Sequence, residues 1–340
     1  MSLKIDVFNH ILPKPFFDRF QQVAVNRAAM KRWLGIPFLH DLDVRFRMLQ
    51  EFGDEYRQIL SLSSPPIETV NPDKQITIDL ATLANDSQAE LVRRYPDRFA
   101  GFIASLPLNQ PDESVRELNR SVSQLGALGV QFFSNINGLP LDDDRFFPLF
   151  ETADRLRCPI LLHPARSAGF ADYPGEPNSK YEIWWTFGWP YETSVAMQRL
   201  VFSRLFDRLP DVRIVAHHLG AMIPYFEGRV GYGLDQLGSR TADEDYERLR
   251  RSMPERPIEY FRKFWADTAV FGSRAATVCG LSFFGPERVV FASDAPFDPE
   301  GGPLYIRETI KVIDSLEISD VSRRNIYQGN AERLFDRRFT

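Results

Sequence analysis

Ile5-Asp6-Val7-Phe8-Asn9-His10-Ile11-Leu12-Pro13 reads as a short strand running into a loop. Side chains alternate along a strand, so positions 6, 8 and 10 share one face. Histidines at both 8 and 10 would bring two imidazoles to one ion; this chain keeps His10 and places Phe8 at the other position. The turn after this strand lacks the glycines that a doubly wound, nucleotide-binding sheet uses there. Seven more short apolar, β-branched or aromatic segments follow, so that the full set is 3–8, 58–62, 99–105, 129–134, 159–163, 212–218, 264–270 and 289–294. The stretches between them are long enough for helices. Eight strands alternating with helices predict an α/β chain folded as a (β/α)8 barrel, and 340 residues suit one such domain over 1–340.

Helical spacing supports the alternation. Val195, Met197, Leu200, Val201, Leu205 and Leu209 form an apolar stripe that predicts one helix over 194–209, ending before Pro210. Asp112 and Asp320 read as caps of two further helices. Segments 13–40 and 165–190 are too long for simple connectors; the second carries Trp184, Trp185 and Trp189. In a barrel both are expected over the C-terminal face as walls or lids of a site.

Composition narrows the function classes. The 44% hydrophobic and 26% charged fractions are those of a soluble globular protein, and a net charge of −5 speaks against nucleic acid or an anionic membrane as partner. The 28 phenylalanines are expected in the core. No apolar run nears the ~20 residues that span a bilayer. Cys158 and Cys279 are too few for a disulfide framework or a cysteine zinc site, and the first residues lack a signal-peptide layout, so a cytoplasmic enzyme is expected.

Four predicted strand ends finish in a polar, metal-competent residue: His10, His163, His218 and Asp294. The chain has five histidines, so three of them at strand ends is a concentration that barrel geometry turns into one site. Taken singly, His163 reads equally as a strand cap, and Asp294 as an Asx turn before Pro296. His217 and His218 point to opposite faces of a regular strand; His218, opening a His-x-Gly pattern with Gly220, is assigned to the site and His217 to structure. His40 is assigned no role.

Longer blocks carry a family resemblance. Trp189-Pro190-Tyr191-Glu192-Thr193, Phe206-Asp207-Arg208-Leu209-Pro210-Asp211, His218-Leu219-Gly220, Pro224-Tyr225 through Gly228-Arg229, Ser293-Asp294-Ala295-Pro296-Phe297 and Gly329-Asn330-Ala331 stand in order along nearly the whole chain. Together they resemble the amidohydrolase superfamily, in the branch of aminocarboxymuconate semialdehyde decarboxylase and the hydroxybenzoate decarboxylases. The resemblance implies His10, His163 and Asp294 as metal ligands, His218 as the acid/base, and Arg229 as a carboxylate-binding residue offered across a homodimer interface. Two imidazoles and a carboxylate suit zinc, with manganese as the other candidate.

Three departures accompany it. Phe8 cannot ligate, which predicts an ion that is weakly held or absent, and Asp6 is no expected substitute. No counterpart is evident to the arginine hairpin that follows the first strand in the aminocarboxymuconate enzyme. Ala221 stands where the hydroxybenzoate enzymes often carry glutamate. The expected activity is metal-assisted, non-oxidative decarboxylation of a small aromatic or unsaturated carboxylic acid, with Phe8 and Trp189 lining the substrate space and His218 and Asp294 handling protons. Hydrolysis or hydration on the same constellation, and a silent barrel subunit, remain the alternatives.

Overall fold

All eight apolar segments form strands in the computed structural model, which describes residues 3–25, 31–242 and 245–340. They are β1 (Lys4–Ile11), β2 (Tyr56–Leu62), β3 (Phe99–Ala104), β4 (Gly129–Phe133), β5 (Ile160–His163), β6 (Ile214–Ala216), β7 (Trp265–Asp267) and β8 (Val289–Val290). Neighbours pair in parallel and in chain order. The ring closes through backbone beyond Val290: Val7 N–H donates to Phe291 O (2.9 Å), Asp294 N–H to Phe8 O (3.0 Å) and His10 N–H to Ala295 O (2.8 Å). The first and last strand ends are therefore hydrogen-bonded neighbours, although 284 residues separate His10 from Asp294.

Strand alternation sorts the core into two layers. Ile5, Val7, Ile59, Ile103, Leu161, Val215, Val290 and Ala292 fill the barrel interior. Leu60, Phe102, Val130, Phe132, Ile160, Leu162, Ile214 and Ala216 face outward and pack against the surrounding helices through Leu118, Phe150, Leu200 and Val201. On β1 the inward parity changes. The register against β2 shifts between Asp6 and Asn9, and Phe8 joins the inner layer beside Val7. A shift of this kind re-aims side chains, and it delivers both Phe8 and His10 to the interior.

The helices differ from expectation in detail. The helix expected over 194–209 begins earlier, at Gly188–Phe202, and breaks at Arg204, whose φ of 62° precedes a separate turn at Leu205–Arg208. Asp112 lies in the first turn of Pro111–Arg120 rather than at its cap, and Ser319, not Asp320, caps the turn Asp320–Arg324. Among the described residues no helix is long and apolar enough to cross a membrane.

Candidate active site

The inner-facing parity of each strand decides which residues reach the barrel mouth. Leu161 lies in the interior layer, so His163, two residues on, continues the same face. Ala292 places Asp294 in the same way, and Val215 places His217. These residues converge with His10: one ligand-type atom from each of His10, His163, His217 and Asp294 lies within 4.8 Å of all the others, and all four are buried. His10 Nε2 stands 2.9 Å from Asp294 Oδ1, His217 Nε2 3.4 Å from the same oxygen, and His218 Nε2 3.5 Å from Asp294 Oδ2.

His217 was assigned to structure from the sequence, and that assignment is corrected here. β6 ends at Ala216, so the two histidines do not share a regular strand. His218, Leu219, Gly220 and Ala221 all adopt positive φ, from 55° to 74°. That left-handed run swings His218 back over the mouth, and the histidine rings lie 3.9 Å apart. The three residues of this run that are not glycine, with Asp294 at φ 60°, concentrate backbone strain at the mouth. The parity of Val215 with His217, matching Leu161 with His163, was the sequence signal that could have found it.

Each of the three inner imidazoles is held from behind. His163 Nδ1–H donates to Pro164 O (2.7 Å), and His217 Nδ1–H to Asp267 Oδ2 (2.5 Å). Ser61 gives its proton to Asn9 O (2.6 Å), which leaves its Oγ to accept from His10 Nδ1 at 3.2 Å. With Nδ1 engaged in this way, all three Nε2 atoms face the common centre, where His10 Nε2 lies 2.9 Å from the Asp294 carboxylate.

The electrostatics follow. Burial, with His217 and His10 nearby, pushes His163 well below its ordinary pKa and keeps it neutral. Burial opposes ionisation of Asp294, yet His10, His217 and His218 outweigh it and hold the carboxyl well below the usual range. Burial and His217 also lower His218. Burial disfavours the imidazolium of His217, but Asp267 and Asp294 carry it up to about 9. Three inward-facing Nε2 atoms beside an ionised carboxylate form a donor set that suits a divalent cation, whose binding would release the protons these nitrogens carry without it, so the residues present fit a metal.

Around this centre the other expected residues divide. Phe8 is fully buried, its ring 4.2 Å from that of His217, 5.3 Å from His10 and 5.8 Å from His163. Trp189 sits at the mouth, 5.6 Å from His163 and 6.4 Å from His218, anchored by Nε1–H to Arg166 O (3.1 Å). Trp184 packs on it at 5.6 Å, so segment 165–190 forms a wall as expected. Asp6 stays outside the cluster, bonded to Tyr56 and Ser293. Arg229 is not brought to the site; it is exposed, its guanidinium 5.7 Å from the Phe226 ring. His40 stacks on Phe17 away from the centre.

The amidohydrolase family profile matches residues 39–337, and the chain belongs to that family. It is 31% identical over 349 residues to the 2-amino-3-carboxymuconate-6-semialdehyde decarboxylase of Dictyostelium discoideum, covering 97% of this chain and 90% of that protein. It is 33% identical over 305 residues to the gamma-resorcylate decarboxylase of Rhodococcus jostii, covering 86% and 87%. Among solved structures, a dihydroxybenzoic acid decarboxylase from Polaromonas sp. JS666, with bound manganese and the inhibitor 2-nitroresorcinol, superposes with a TM-score of 0.76 at 27% identity, covering 99% of this chain and 97% of that one.

Proposed function

We propose that this chain is a divalent-metal-dependent, non-oxidative decarboxylase of a small aromatic carboxylic acid, acting as one domain over 1–340. The observation that carries it is the meeting of His10, His163 and Asp294 in a buried cluster at the barrel mouth with His218 beside it. His10, His163 and Asp294 are the proposed ligands. Bound there, the ion supplies positive charge that orients a carboxylate and an adjacent oxygen and stabilises the charge left as carbon dioxide departs.

The chain's own groups do the rest. When the bond to the carboxylate breaks, its electron pair stays on the ring carbon, and a proton must arrive there. His218, within reach of the Asp294 carboxylate, is the group proposed to hold and deliver it. Phe8 beneath and Trp189 above confine a flat substrate and exclude water, which strengthens every charge interaction in the site. Arg229 is proposed to grip a carboxylate of the partner subunit's substrate through parallel hydrogen bonds; its exposure, flanked by the exposed Tyr225 and Tyr232, suits a homodimer contact. Zinc is the ion favoured by the nitrogen-rich donor set, and manganese, present in the Polaromonas relative, is the competitor. A cytoplasmic location accords with two cysteines, both free thiols.

The test is carbon dioxide release from a panel of hydroxybenzoates, including 2,6-dihydroxybenzoate, before and after chelation. Turnover that chelation abolishes, that zinc or manganese restores, and that His163→Ala prevents is the expected result. No release from any panel member by metal-loaded protein would overturn the proposal. Light scattering of the same sample checks the dimer.

A further inference from the structure

We propose that Phe271 is a specificity-determining residue of the mouth: its ring and that of Trp189, reaching His218 from its two sides, clamp the flat ring of an aromatic acid and disfavour open-chain acids. The inference rests on the decarboxylase reading above and deepens it by naming the group that selects the shape of the substrate.

Three observations carry it. First, Phe271 occupies a backbone position that suits another residue. The turn from Val270 to Ser273 follows β7 and closes with Ser273 N–H on Val270 O (3.0 Å), and its two central residues have positive φ, 55° at Phe271 and 76° at Gly272. Asparagine, aspartate or glycine ordinarily stands at the first of them, and a bulky ring there is strained. Burial does not offset that strain in full, since 39% of Phe271 is exposed. Strain kept at a half-exposed ring beside a polar site points to function. Second, the turn is fixed from two directions. A Cβ at Gly272 would lie 2.5 Å from Glu308 Cβ, so the backbone is pressed on the helix Pro303–Asp314, and Ser273 caps the helix Arg274–Phe284 by accepting from Ala276 N–H (3.4 Å). Tyr305, in the first turn of Pro303–Asp314, packs on the Phe271 ring at 4.5 Å between centroids. Third, the ring so held lies 5.7 Å from the His218 ring, and Trp189 lies 6.4 Å from it. His218 follows β6, Trp189 comes from the connection after β5 and Phe271 from that after β7, so the two aromatic rings reach His218 from the loops on either side of it. Aromatic rings attract one another across roughly 4.5–7 Å between centroids, an attraction that an open-chain acid cannot return.

Affinity for a ring that does not react decides the matter. Manganese-loaded wild type, Phe271→Asn and Phe271→Tyr are titrated calorimetrically with 2-nitroresorcinol and with cis,cis-muconate as the open-chain probe, and each protein is melted in parallel. Phe271→Asn is expected to lose roughly 3- to 10-fold in affinity for the ring probe, the worth of one aromatic contact, with no change toward muconate. Phe271→Tyr, which keeps the ring, is expected to keep the wild-type affinity. With a hydroxybenzoate that turns over, the KM of Phe271→Asn should rise by more than kcat falls, because the contact is already made in the bound ground state. Its melting temperature should stand at or above that of wild type, because asparagine suits the turn. A melting temperature well below it would contradict the strain on which the inference rests. Equal ring affinity in wild type and folded Phe271→Asn, or an equal loss toward muconate, would overturn the clamp, as would metal-loaded wild type that does not bind the ring probe. Wild type that binds in the expected pattern yet releases carbon dioxide from no hydroxybenzoate would instead remove the decarboxylase reading and leave the clamp standing.

Discussion

Two buried polar clusters meet on β1, and they are built on opposite rules. Below the mouth, Asp6, Asn9, Arg45, Tyr56, Gln58 and Ser293 form a closed set. Ser293 Oγ (2.5 Å) and Tyr56 both donate to Asp6 Oδ2, Arg45 donates to Gln58 (2.9 Å), Asn9 (2.6 Å) and His10 O (2.9 Å), and Gln58 donates to Tyr56 (3.2 Å). At the mouth, each inner imidazole is held from behind, and the forward nitrogens crowd one another and Asp294, with His217 Nε2 left without a hydrogen bond. A network whose members complete one another is a structural fastening, and one whose ligand-type atoms converge on a common centre lacks an external partner. The difference separates the two roles without reference to any relative.

The largest expected effect is at the open cluster. Asp294→Asn should remove the bound ion and lower carbon dioxide release by about 10³-fold or more, whereas His218→Asn should lower it by roughly 10²–10⁴-fold with the metal content unchanged. Metal analysis beside turnover separates the two variants. Loss of metal in His218→Asn would move that residue from proton carrier to ligand.

The closed cluster should respond in stability instead. Burial pushes Arg45 down to about 9 against the opposing pull of Tyr56 and Asp6, a sign of how much its hydrogen bonds must offset. Arg45→Met leaves Asn9 and Gln58 without their donor and should cost roughly 3–5 kcal/mol in urea unfolding. The folded fraction should still bind metal in the wild-type ratio. A variant that kept its stability but lost its ion would collapse the distinction between the clusters.

Glu68 sharpens the rule, because an unpartnered group is not enough by itself. Among the described residues both its carboxyl oxygens are buried without a hydrogen bond, and burial raises it to about 7. Among the described residues it belongs to no cluster of metal-type ligand atoms, so its consequence is a pH effect. The folded state keeps a proton that the unfolded chain releases between about 4.5 and 7, so the native state loses stability as pH rises through that window, by roughly 3 kcal/mol in all. Glu68→Gln should abolish that part of the decline and be the more stable protein at pH 8. Parallel stability curves for the two proteins across pH 4–8 would contradict the burial argument.

The comparison also shows what a sequence discloses. All eight strands were legible because β-branched and apolar runs stand out between helical stretches, and His10, His163 and Asp294 were legible as polar endings of such runs. His217 was not, because the His-x-Gly pattern drew the assignment to His218 in place of the inward parity that His217 shares with Val215. The left-handed run from His218 to Ala221 carries one glycine, too little to signal the turn that brings both histidines to one face. The register shift on β1 that lets Phe8 and His10 share the interior with Val7 depends on pairing with β2, a contact no local pattern records.

The central claim is that the mouth cluster is completed by a divalent cation while the cluster beneath it needs none. Anomalous diffraction from crystals of manganese-loaded protein tests it most directly. The account predicts one strong peak among His10, His163 and Asp294 and none near Asp6 or Arg45. A featureless mouth in fully loaded crystals, or a peak only at the closed cluster, would contradict it.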